Sequence, residues 1–471
     1  MADDGQDNEQ ARIDGLISHA RAAMRQVAGA SQEQLHDAAT ALAWSLYEPA
    51  RARALAELAV ETTGLGNVES KIIKNQRKTF GTLRDLLRAK TTGIIEEQPE
   101  RGLVKYAKPV GVVAAVTPST NPSATPVNKA MMAVVCGNAI IIAPSPLAWT
   151  ATNATVEAMR AELRRIDMPE DLVQILPKPV SREATRLLMA SSDLVVTTGS
   201  QNNVRAAYSS GTPAIGVGAG NVPVIIDTSA DLDDAARKIC ASKIFDNATS
   251  CSSENSVIIP EAIFDDAIAA LTRAGGYMVT PEEGRRIVDL LWQNGKLNRD
   301  LIARDAPVLA AAFGLSGAAA DAKFFMVEES GIGEDYPLSD EKLSLVLTIY
   351  RAKDFDDAKR IGAQILNHVG KGHSIGIHTR DMDHARALAA DTDVVRVLVN
   401  QAHTFGNGGG FDNALPFTLS MGCGTWQGNS ISENLNYRCF MNVTHLVTTI
   451  PEDKPSEEEL FGPYWARHGR G

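Results

Sequence analysis

Residues 111–122 read GVVAAVTPSTNP, a short apolar run that ends in a turn bracketed by two prolines. Further apolar runs follow along the chain, at 139–142, 172–176 and 194–197. Helical patterns separate the first three runs. Strands that alternate with helices at such short spacing are typical of a parallel sheet with crossover helices. The sequence therefore predicts an α/β fold, with a Rossmann-type dinucleotide-binding sheet in this part of the chain.

Regions on both sides of this sheet predict the rest of the architecture. Helical periodicity precedes it, and residues 93–108 predict an antiparallel hairpin. Strand and helix patterns alternate again in the second half of the chain, which indicates a second α/β unit. We predict a dinucleotide-binding domain at 1–240 that includes the hairpin, a catalytic domain at 241–435, and a C-terminal strand and tail at 436–471.

The composition limits the partners and the compartment. The chain has 471 residues with 46 Lys and Arg against 57 Asp and Glu, a net charge of -11, which disfavours nucleic acid and anionic membranes as partners. The first ten residues, MADDGQDNEQ, are acidic and polar where a secretory signal is basic and then apolar. Five cysteines without a CxxC pair argue against a disulfide framework or a zinc site. We expect a cytoplasmic protein without a metal site.

One of these cysteines has an unusual setting. Cys251 lies in FDNATSCSSEN, residues 245–255, where serine and threonine residues flank it on both sides. Their hydroxyls and the loop amides can hydrogen-bond a thiolate and lower the pKa of the thiol. Cys136 and Cys240, in contrast, fall in apolar patterns that are typical of a core. Cys251 is therefore the candidate nucleophile, with an inert loop cysteine as the alternative.

Three motifs in a fixed order carry a family resemblance. TPSTNP follows a buried strand, AIIIAPSP is followed later by TTGS, and FDNATSCSSEN precedes the second α/β unit. Together they resemble the aldehyde dehydrogenase superfamily, and specifically its coenzyme A-acylating branch, over residues 11–447. The resemblance implies an aldehyde dehydrogenase-like fold with a small oligomerisation hairpin. It also implies that Cys251 is the nucleophile and that the Asn121 amide stabilises the oxyanion.

The resemblance further implies a nicotinamide dinucleotide site. Gly199 and Ser200 match the pyrophosphate contact at a helix start, and Glu341 matches the glutamate that holds the nicotinamide ribose, although EKL departs from the usual family form ending in Phe. Other expected cofactor-binding residues lie at strand ends or in a Gly-rich stretch: Thr117, Pro118, Ser145 and Gly218. The segment after the strand at 139–142 has neither acid nor base. NADP is therefore not excluded by repulsion of its 2′-phosphate. The resemblance to acylating enzymes that act on sulfoacetaldehyde favours NADP, with NAD as the alternative.

A missing carboxylate points to the class of reaction. Hydrolytic members of the family carry a glutamate in a Gly-rich stretch, where it activates water for cleavage of the thioester. The matching stretch here, IGVGAGNVP at 215–223, contains no carboxylate. Coenzyme A is therefore expected to accept the acyl group, because its thiol is a better nucleophile than water. The alternative is that another base, with Glu254 as the candidate, replaces the missing glutamate.

The identity of the aldehyde is less strongly indicated. The C-terminal sequence GCGTWQGNSISENLNYRCFMNVTHLV resembles the bacterial acylating aldehyde dehydrogenases. The overall length and the tail EEELFGPYWARHG resemble acylating enzymes that act on sulfoacetaldehyde. Acetaldehyde, propionaldehyde and succinate semialdehyde are the alternatives. A sulfonate requires donors or a cation, and the candidates are a Gly-rich backbone nest at 406–410 with Asn407, together with His373 and His403.

The assembly and two alternative classes of protein remain to be considered. The family resemblance implies a homodimer or homotetramer that pairs through the hairpin at 93–108 and the strand at 442–449. A hydrolase or acyltransferase that uses Cys251 without redox chemistry is the alternative from another class. A binding protein that only shares the fold is a third reading. Dependence on a nicotinamide cofactor separates an aldehyde dehydrogenase from both alternative classes.

Overall fold

The structure is a computed structural model that describes residues 2–471. The helices, in chain order, are α1 (Ala2–Gln26), α2 (Gln32–Tyr47), α3 (Pro49–Thr63), α4 (Val68–Leu87), α5 (Ala124–Val134), α6 (Trp149–Arg165), α7 (Arg182–Ser191), α8 (Gln201–Tyr208), α9 (Leu232–Ile244), α10 (Phe264–Arg273), α11 (Pro281–Leu291), α12 (Ala306–Ala312), α13 (Phe355–His368), α14 (Met382–Asp391), α15 (His403–Gly406) and α16 (Glu457–His468).

The strands, in chain order, are β1 (Gly93–Gln98), β2 (Leu103–Pro109), β3 (Val112–Thr117), β4 (Ala139–Pro144), β5 (Val173–Ile175), β6 (Leu194–Thr197), β7 (Ala214–Gly216), β8 (Val222–Ile226), β9 (Glu254–Pro260), β10 (Gly276–Met278), β11 (Trp292–Gln293), β12 (Lys296–Leu297), β13 (Phe324–Glu328), β14 (Val346–Ala352), β15 (Gly372–His378), β16 (Val394–Val399) and β17 (Met441–Val447). Within residues 2–471, no helix combines the length and the apolar character that crossing a membrane requires.

The first large sheet contains the strands that follow residue 111. Its five strands run in the order β5-β4-β3-β6-β7, and every neighbouring pair is parallel. The order of connection reverses between β3 and β6, which is the place where open α/β sheets bind ligands. Lys129 of α5 is buried there and donates from its Nζ to the carbonyls of Val116 and Val196, each at 3.0 Å. The predicted α/β class and its parallel sheet are confirmed.

The second large sheet is also parallel. Its seven strands run in the order β10-β13-β14-β9-β8-β15-β16. Strand β8, which the sequence-based domain limits assign to 1–240, pairs with β9 and β15 in this sheet. The domain limits themselves stay predictions.

The hairpin forms a third sheet. Strands β1 and β2 pair antiparallel, and β17 adds to the other edge of β2, with Val443 opposite Ala107. The predicted hairpin at 93–108 is thus confirmed as a structural element. The C-terminal strand returns to it from the far end of the chain.

The two parallel sheets meet at a cleft. Strands β3 and β6 end at Thr117 and Thr197, and the segments that follow them line one side. The loops before β8 and β9 line the other side. The cleft is therefore built from the carboxyl ends of the first sheet and the amino ends of two strands of the second.

Candidate active site

The cleft brings most of the predicted site residues together. It has a volume of about 510 Å³. The predicted residues that line it are Thr117, Pro118, Asn121, Ser145, Gly199, Ser200, Gly218, Cys251 and Glu341. Residues more than two hundred positions apart in the sequence thus face one space. This juxtaposition is what a nucleophile, an oxyanion donor and a bound dinucleotide require.

One side of the cleft has the features of a phosphate site. Helix α8 begins after Ser200, whose Oγ accepts a hydrogen bond from the backbone N–H of Asn203 at 3.4 Å. The first turn of a helix presents unpaired N–H groups to an anion. Ser145 lies at the end of β4 on the same side of the cleft and is half-buried. These residues fit a dinucleotide at the reversal point of the first sheet.

Cys251 lies on the opposite side, in the turn that precedes β9. Its side chain is half-buried and faces the cleft. Burial raises the pKa of Cys251 to about 12, and the Glu341 carboxylate and Cys423 add to the effect, while Arg396 opposes it. The sequence-based expectation that a flanking hydroxyl lowers this pKa holds for Ser252, but the net shift is upward. Loss of solvation is the larger effect.

Asn121 is held from behind by helix α4. The Nζ of Lys74 donates to Asn121 Oδ1 at 2.9 Å and also forms an ion pair with Asp246. Asp246 precedes the nucleophile in the 245–255 loop and accepts from Thr249 Oγ1 at 2.8 Å. Burial alone would raise the pKa of Asp246, but Lys74 and Lys71 outweigh it and the pKa is lowered. The oxyanion candidate and the nucleophile loop thus share one buried ion cluster.

Helix α4 supplies a second, unpredicted feature. Asn67 caps the helix by accepting from the N–H of Ser70, and lysines then recur on one face as Lys71, Lys74 and Lys78. Lys78 lines the cleft, is buried, and donates from its Nζ to the carbonyl of Gly408 at 2.7 Å. Within the described chain no carboxylate forms an ion pair with it. Burial lowers the pKa of Lys78 to about 7, with Arg77 and Lys74 adding to the effect.

The Gly-rich stretch has no room for a side chain where it approaches the nucleophile. A Cβ on Gly220 would lie 2.1 Å from the carbonyl oxygen of Cys251 and 2.7 Å from its Cβ. A Cβ on Gly218 would lie 1.3 Å from Gln427 Oε1. The close approach of the Cys251 backbone explains why residue 220 is glycine, whereas at Gly218 the neighbour is the end of the Gln427 side chain.

Two other carboxylates have to be considered as bases. Glu254 is fully buried, does not line the cleft, and accepts from the backbone N–H of His403 at 3.1 Å. Glu341 is the one carboxylate that lines the cleft in the part of the chain that the structure describes. Burial raises the pKa of Glu341 to about 7, against the effect of Lys342 and Lys243. Glu341 rather than Glu254 is thus the group in reach of a water molecule in the cleft.

The predicted substrate residues lie behind the cleft. His373 and His403 are buried and contact the same hydroxyl, Ser374 Oγ, at 2.8 and 2.9 Å. Burial lowers the pKa of His403 to about 3, with Arg396 adding to the effect, so the ring is neutral. Asn407 is also buried, and its Nδ2 donates to Ser252 Oγ at 2.9 Å. None of the three lines the cleft, which does not support direct contact with a substrate.

The same architecture and chain length recur in known proteins. A model of the aldehyde dehydrogenase family matches residues 3–279. The acylating sulfoacetaldehyde dehydrogenase of Cupriavidus necator is 50% identical over 459 residues, which cover 97% of this chain and 93% of that protein. The acylating sulfoacetaldehyde dehydrogenase of Bilophila wadsworthia is 45% identical over 458 residues, which cover 96% of this chain and 98% of that protein.

A solved structure gives the same result. The crystal structure of an acetylating aldehyde dehydrogenase from Geobacillus thermoglucosidasius superimposes with a TM-score of 0.92 at 33% identity, covering 96% of this chain and 99% of that one. The chain therefore belongs to the aldehyde dehydrogenase family. The family and fold that the three sequence motifs predict are confirmed.

Proposed function

We propose that this protein is a coenzyme A-acylating aldehyde dehydrogenase, which converts an aldehyde, coenzyme A and NADP or NAD into acyl-coenzyme A and reduced cofactor. The Sγ of Cys251 bonds to the carbonyl carbon of the aldehyde and loses the thiol proton. The Nδ2 of Asn121 and the backbone N–H of Cys251 donate to the oxyanion that forms. A nicotinamide cofactor held by Gly199, Ser200 and Glu341 would supply the acceptor for the hydride that leaves this carbon. The sulfur of coenzyme A then bonds to the acyl carbon, the bond between that carbon and Cys251 Sγ breaks, and Cys251 is left as the thiol with the proton that coenzyme A gives up.

The observation that carries this proposal is that the Gly-rich stretch at 215–223 lines the cleft beside Cys251 with residues 217–220 and contains no carboxylate. Hydrolytic enzymes hold their water-activating glutamate in the matching stretch. A thiol attacks a thioester near neutral pH without such a base. The acylating relatives at 50% and 45% identity support the same reaction class.

The products distinguish the two reaction classes. Sulfoacetaldehyde and NADP are incubated with the enzyme and coenzyme A, and the products are separated by mass spectrometry. We expect sulfoacetyl-coenzyme A and no sulfoacetate. Sulfoacetate as the main product contradicts the proposal. If sulfoacetate forms, a parallel reaction with Glu341→Gln tests whether Glu341, the one carboxylate that lines the described cleft, activates the water that cleaves the thioester.

For the substrate, we propose sulfoacetaldehyde, with Lys78 as the cation that binds its sulfonate. Lys78 lines the same cleft as Cys251, and its ammonium makes one hydrogen bond, to a neutral carbonyl. A buried cation without a carboxylate partner is costly, and an anionic ligand removes that cost. Sulfoacetaldehyde carries its anion one carbon from the reacting carbonyl. Uncharged aldehydes such as acetaldehyde and propionaldehyde carry no anionic group that could pair with this lysine.

Replacement of Lys78 separates an anionic substrate from a neutral one. We expect Lys78→Met to lower kcat/KM for sulfoacetaldehyde by about 100-fold, and to lower that for acetaldehyde much less, since a charged hydrogen bond of about 1.5–3 kcal/mol is lost only for the sulfonate. Lys90→Met is the matched control, because Lys90 is exposed just beyond the end of α4. Equal losses for both aldehydes contradict the assignment. Succinate semialdehyde, tested in parallel, shows whether Lys78 selects any anion.

For the cofactor, we propose NADP, with NAD as the alternative. Ser145 offers a hydroxyl after β4, and neither an acidic nor a basic side chain lies within residues 143–147. An acidic residue there would repel a 2′-phosphate. The ratio of kcat/KM for NADP and NAD, measured in the wild type and in Ser145→Glu, tests this: the acidic variant should lose NADP activity selectively.

The assembly and the location are proposed as well. Strand β17 is the edge of the hairpin sheet, and it and the residues after it expose large apolar side chains: Val443, Leu446, Val447 and Ile450. A second copy that covers this edge in a homodimer or homotetramer explains them. Light scattering should give a mass of at least twice 50.4 kDa, and Leu446→Asp should lower it. The five free cysteines support a cytoplasmic location.

A further inference from the structure

Lys74 contacts two segments that form the reaction centre. Its Nζ donates to Asn121 Oδ1 at 2.9 Å, in the turn after β3, and to Thr249 Oγ1 at 3.3 Å, two residues before the nucleophile. It also pairs with the carboxylate of Asp246. The side chain of Lys74 is itself buried. A single ammonium on α4 therefore connects the oxyanion candidate to the loop of Cys251.

The contact with Asn121 determines which way its amide faces. A lysine ammonium has three donors and no acceptor, so only the oxygen of the amide can face it. With Oδ1 directed at Lys74, Nδ2 is left to face elsewhere, and its one protein contact is a long one of 3.4 Å to Thr120 Oγ1. Asn121 lines the cleft. The donor end of the amide is thus the end available to an oxyanion.

The remainder of the cluster holds Lys74 in place. Asp246, Asn247 and Ala248 have positive φ values of 51°, 52° and 59°, a conformation that residues other than glycine rarely adopt. Asp246 Oδ1 accepts from the backbone N–H of Asn67 at 3.0 Å, and Lys71 donates to Asp246 Oδ2 at 3.1 Å. These contacts hold the carboxylate of Asp246 in position. They also keep the backbone of residues 246–248 in its strained conformation.

We propose that Lys74 is a positioning residue that sets the Asn121 amide with its N–H groups towards the oxyanion. Without Lys74 the amide can turn over and present its oxygen, which repels the developing charge. The ammonium also polarises the amide, which makes Nδ2 a stronger donor. The proposal rests on the proposed function, since it assumes that Asn121 stabilises an oxyanion at Cys251.

The test measures acyl transfer to Cys251 from p-nitrophenyl acetate. The Sγ of Cys251 bonds to the acetyl carbon, the ester C–O bond breaks, nitrophenolate leaves, and the thiol proton passes to solvent. The reaction passes through the same oxyanion and needs no nicotinamide, coenzyme A or sulfoacetaldehyde. A failed dehydrogenase assay with an intact result here therefore removes the proposed function and leaves the role of Lys74 standing.

A double-mutant cycle separates positioning from general support. We expect Lys74→Met and Asn121→Ala each to slow the first turnover by about 100-fold, the effect of losing one oxyanion donor, and the double variant to be no slower than Asn121→Ala alone. Losses that multiply in the double variant overturn the proposal. Lys71→Met is the matched control, because Lys71 shares Asp246 without contacting the Asn121 side chain. Its loss should be smaller and should multiply with that of Asn121→Ala.

The rate at which iodoacetamide alkylates Cys251 would change if Lys74 had a purely structural role. This reaction forms no oxyanion, so its rate in Lys74→Met should stay within about threefold of the wild type while acylation falls by about 100-fold. An equal fall in both rates means that Lys74 supports the loop and not the amide, and it overturns the proposal. If Lys74→Met does not fold, the same cycle is measured with Lys74→Arg, which keeps the charge beside Asp246 and shifts the donors.

Discussion

Helix α4 and the histidine pair beneath the cleft differ in what their polar groups do. The lysine face of α4, defined by Lys71, Lys74 and Lys78, reaches the oxyanion candidate, the nucleophile loop and the cleft itself. The histidine pair, His373 and His403, contacts one serine hydroxyl and stays away from the cleft. The residues with the more suggestive chemistry in the sequence therefore lie outside the cleft. The lysines of an ordinary-looking amphipathic helix are the ones at the reaction centre.

The two regions differ because burial has different consequences for an imidazole and for an ammonium group. A neutral imidazole can be buried with one hydroxyl partner, and the lowered pKa of His403 shows that it is kept neutral. A buried ammonium needs oxygen acceptors or an anion, and each of the three lysines has one or more oxygens within reach. A cation held in this way remains available to a negatively charged transition state or ligand.

The largest expected effect comes from the nucleophile that the lysine face serves. We expect Cys251→Ala to lower kcat by at least about 10⁴-fold, as removal of a covalent nucleophile does in other enzymes. Binding of NADP, followed by equilibrium dialysis, should stay within a few-fold because the phosphate side of the cleft is separate. Substantial dehydrogenase activity in this variant contradicts the role of the cleft as a whole.

The next effect concerns the state of that thiol at rest. With its pKa raised to about 12, the thiolate fraction of Cys251 grows about tenfold per pH unit throughout the accessible range. The rate of alkylation by iodoacetamide in the unliganded enzyme should therefore rise by about a thousandfold between pH about 7 and about 10, without a plateau. A plateau near pH about 8 would mean that the lysine face or Arg396 lowers the pKa more than burial raises it.

The pH dependence of substrate selection tests Lys78 alone. The protonated lysine binds the sulfonate, and its pKa of about 7 means that the cation is lost as the pH rises through that value in the free enzyme. The ratio of kcat/KM for sulfoacetaldehyde to that for acetaldehyde should then fall by up to about tenfold per pH unit above about 7. Taking the ratio removes the titration of Cys251. A ratio that is constant with pH argues against Lys78 as the cation.

The smallest effect is expected at the histidine pair. His403→Gln removes a buried contact with Ser374, so we expect the free energy of unfolding to fall by about 1–3 kcal/mol. The value of kcat/KM for sulfoacetaldehyde should remain within about threefold, a size that a small distortion of the site can explain. A loss as large as that of Lys78→Met would reverse the contrast between the two regions.

The sequence predicts the cofactor side of the cleft well, because strand ends are local features. The apolar runs that become β3, β4 and β6 identify where Thr117, Ser145 and Gly199 follow a strand. The carboxyl ends of parallel strands share one edge, so these residues had to meet. The order of motifs also predicts the family, because that prediction depends on the sequence alone and not on distances in the folded protein.

The lysine face and the pKa of Cys251 could not be predicted in this way. A lysine at helical spacing usually lies on the solvent face, and only the fold shows that Lys74 faces Asn121 from 47 positions away. The flanking hydroxyls of Cys251 are visible in the sequence, while the burial that outweighs them is not. The periodicity of α4 and the motif TPSTNP do not tell which face of the helix lies against the turn after β3.

We expect Cys251 to form a thioester that water does not cleave. The most direct test mixes the enzyme with sulfoacetaldehyde and NADP in the absence of coenzyme A and follows reduced cofactor together with the mass of the Cys251 peptide. We predict one reduced cofactor per site, an acyl group on Cys251, and continuous turnover only after coenzyme A is added. Continuous turnover without coenzyme A, with sulfoacetate as the product, would contradict it.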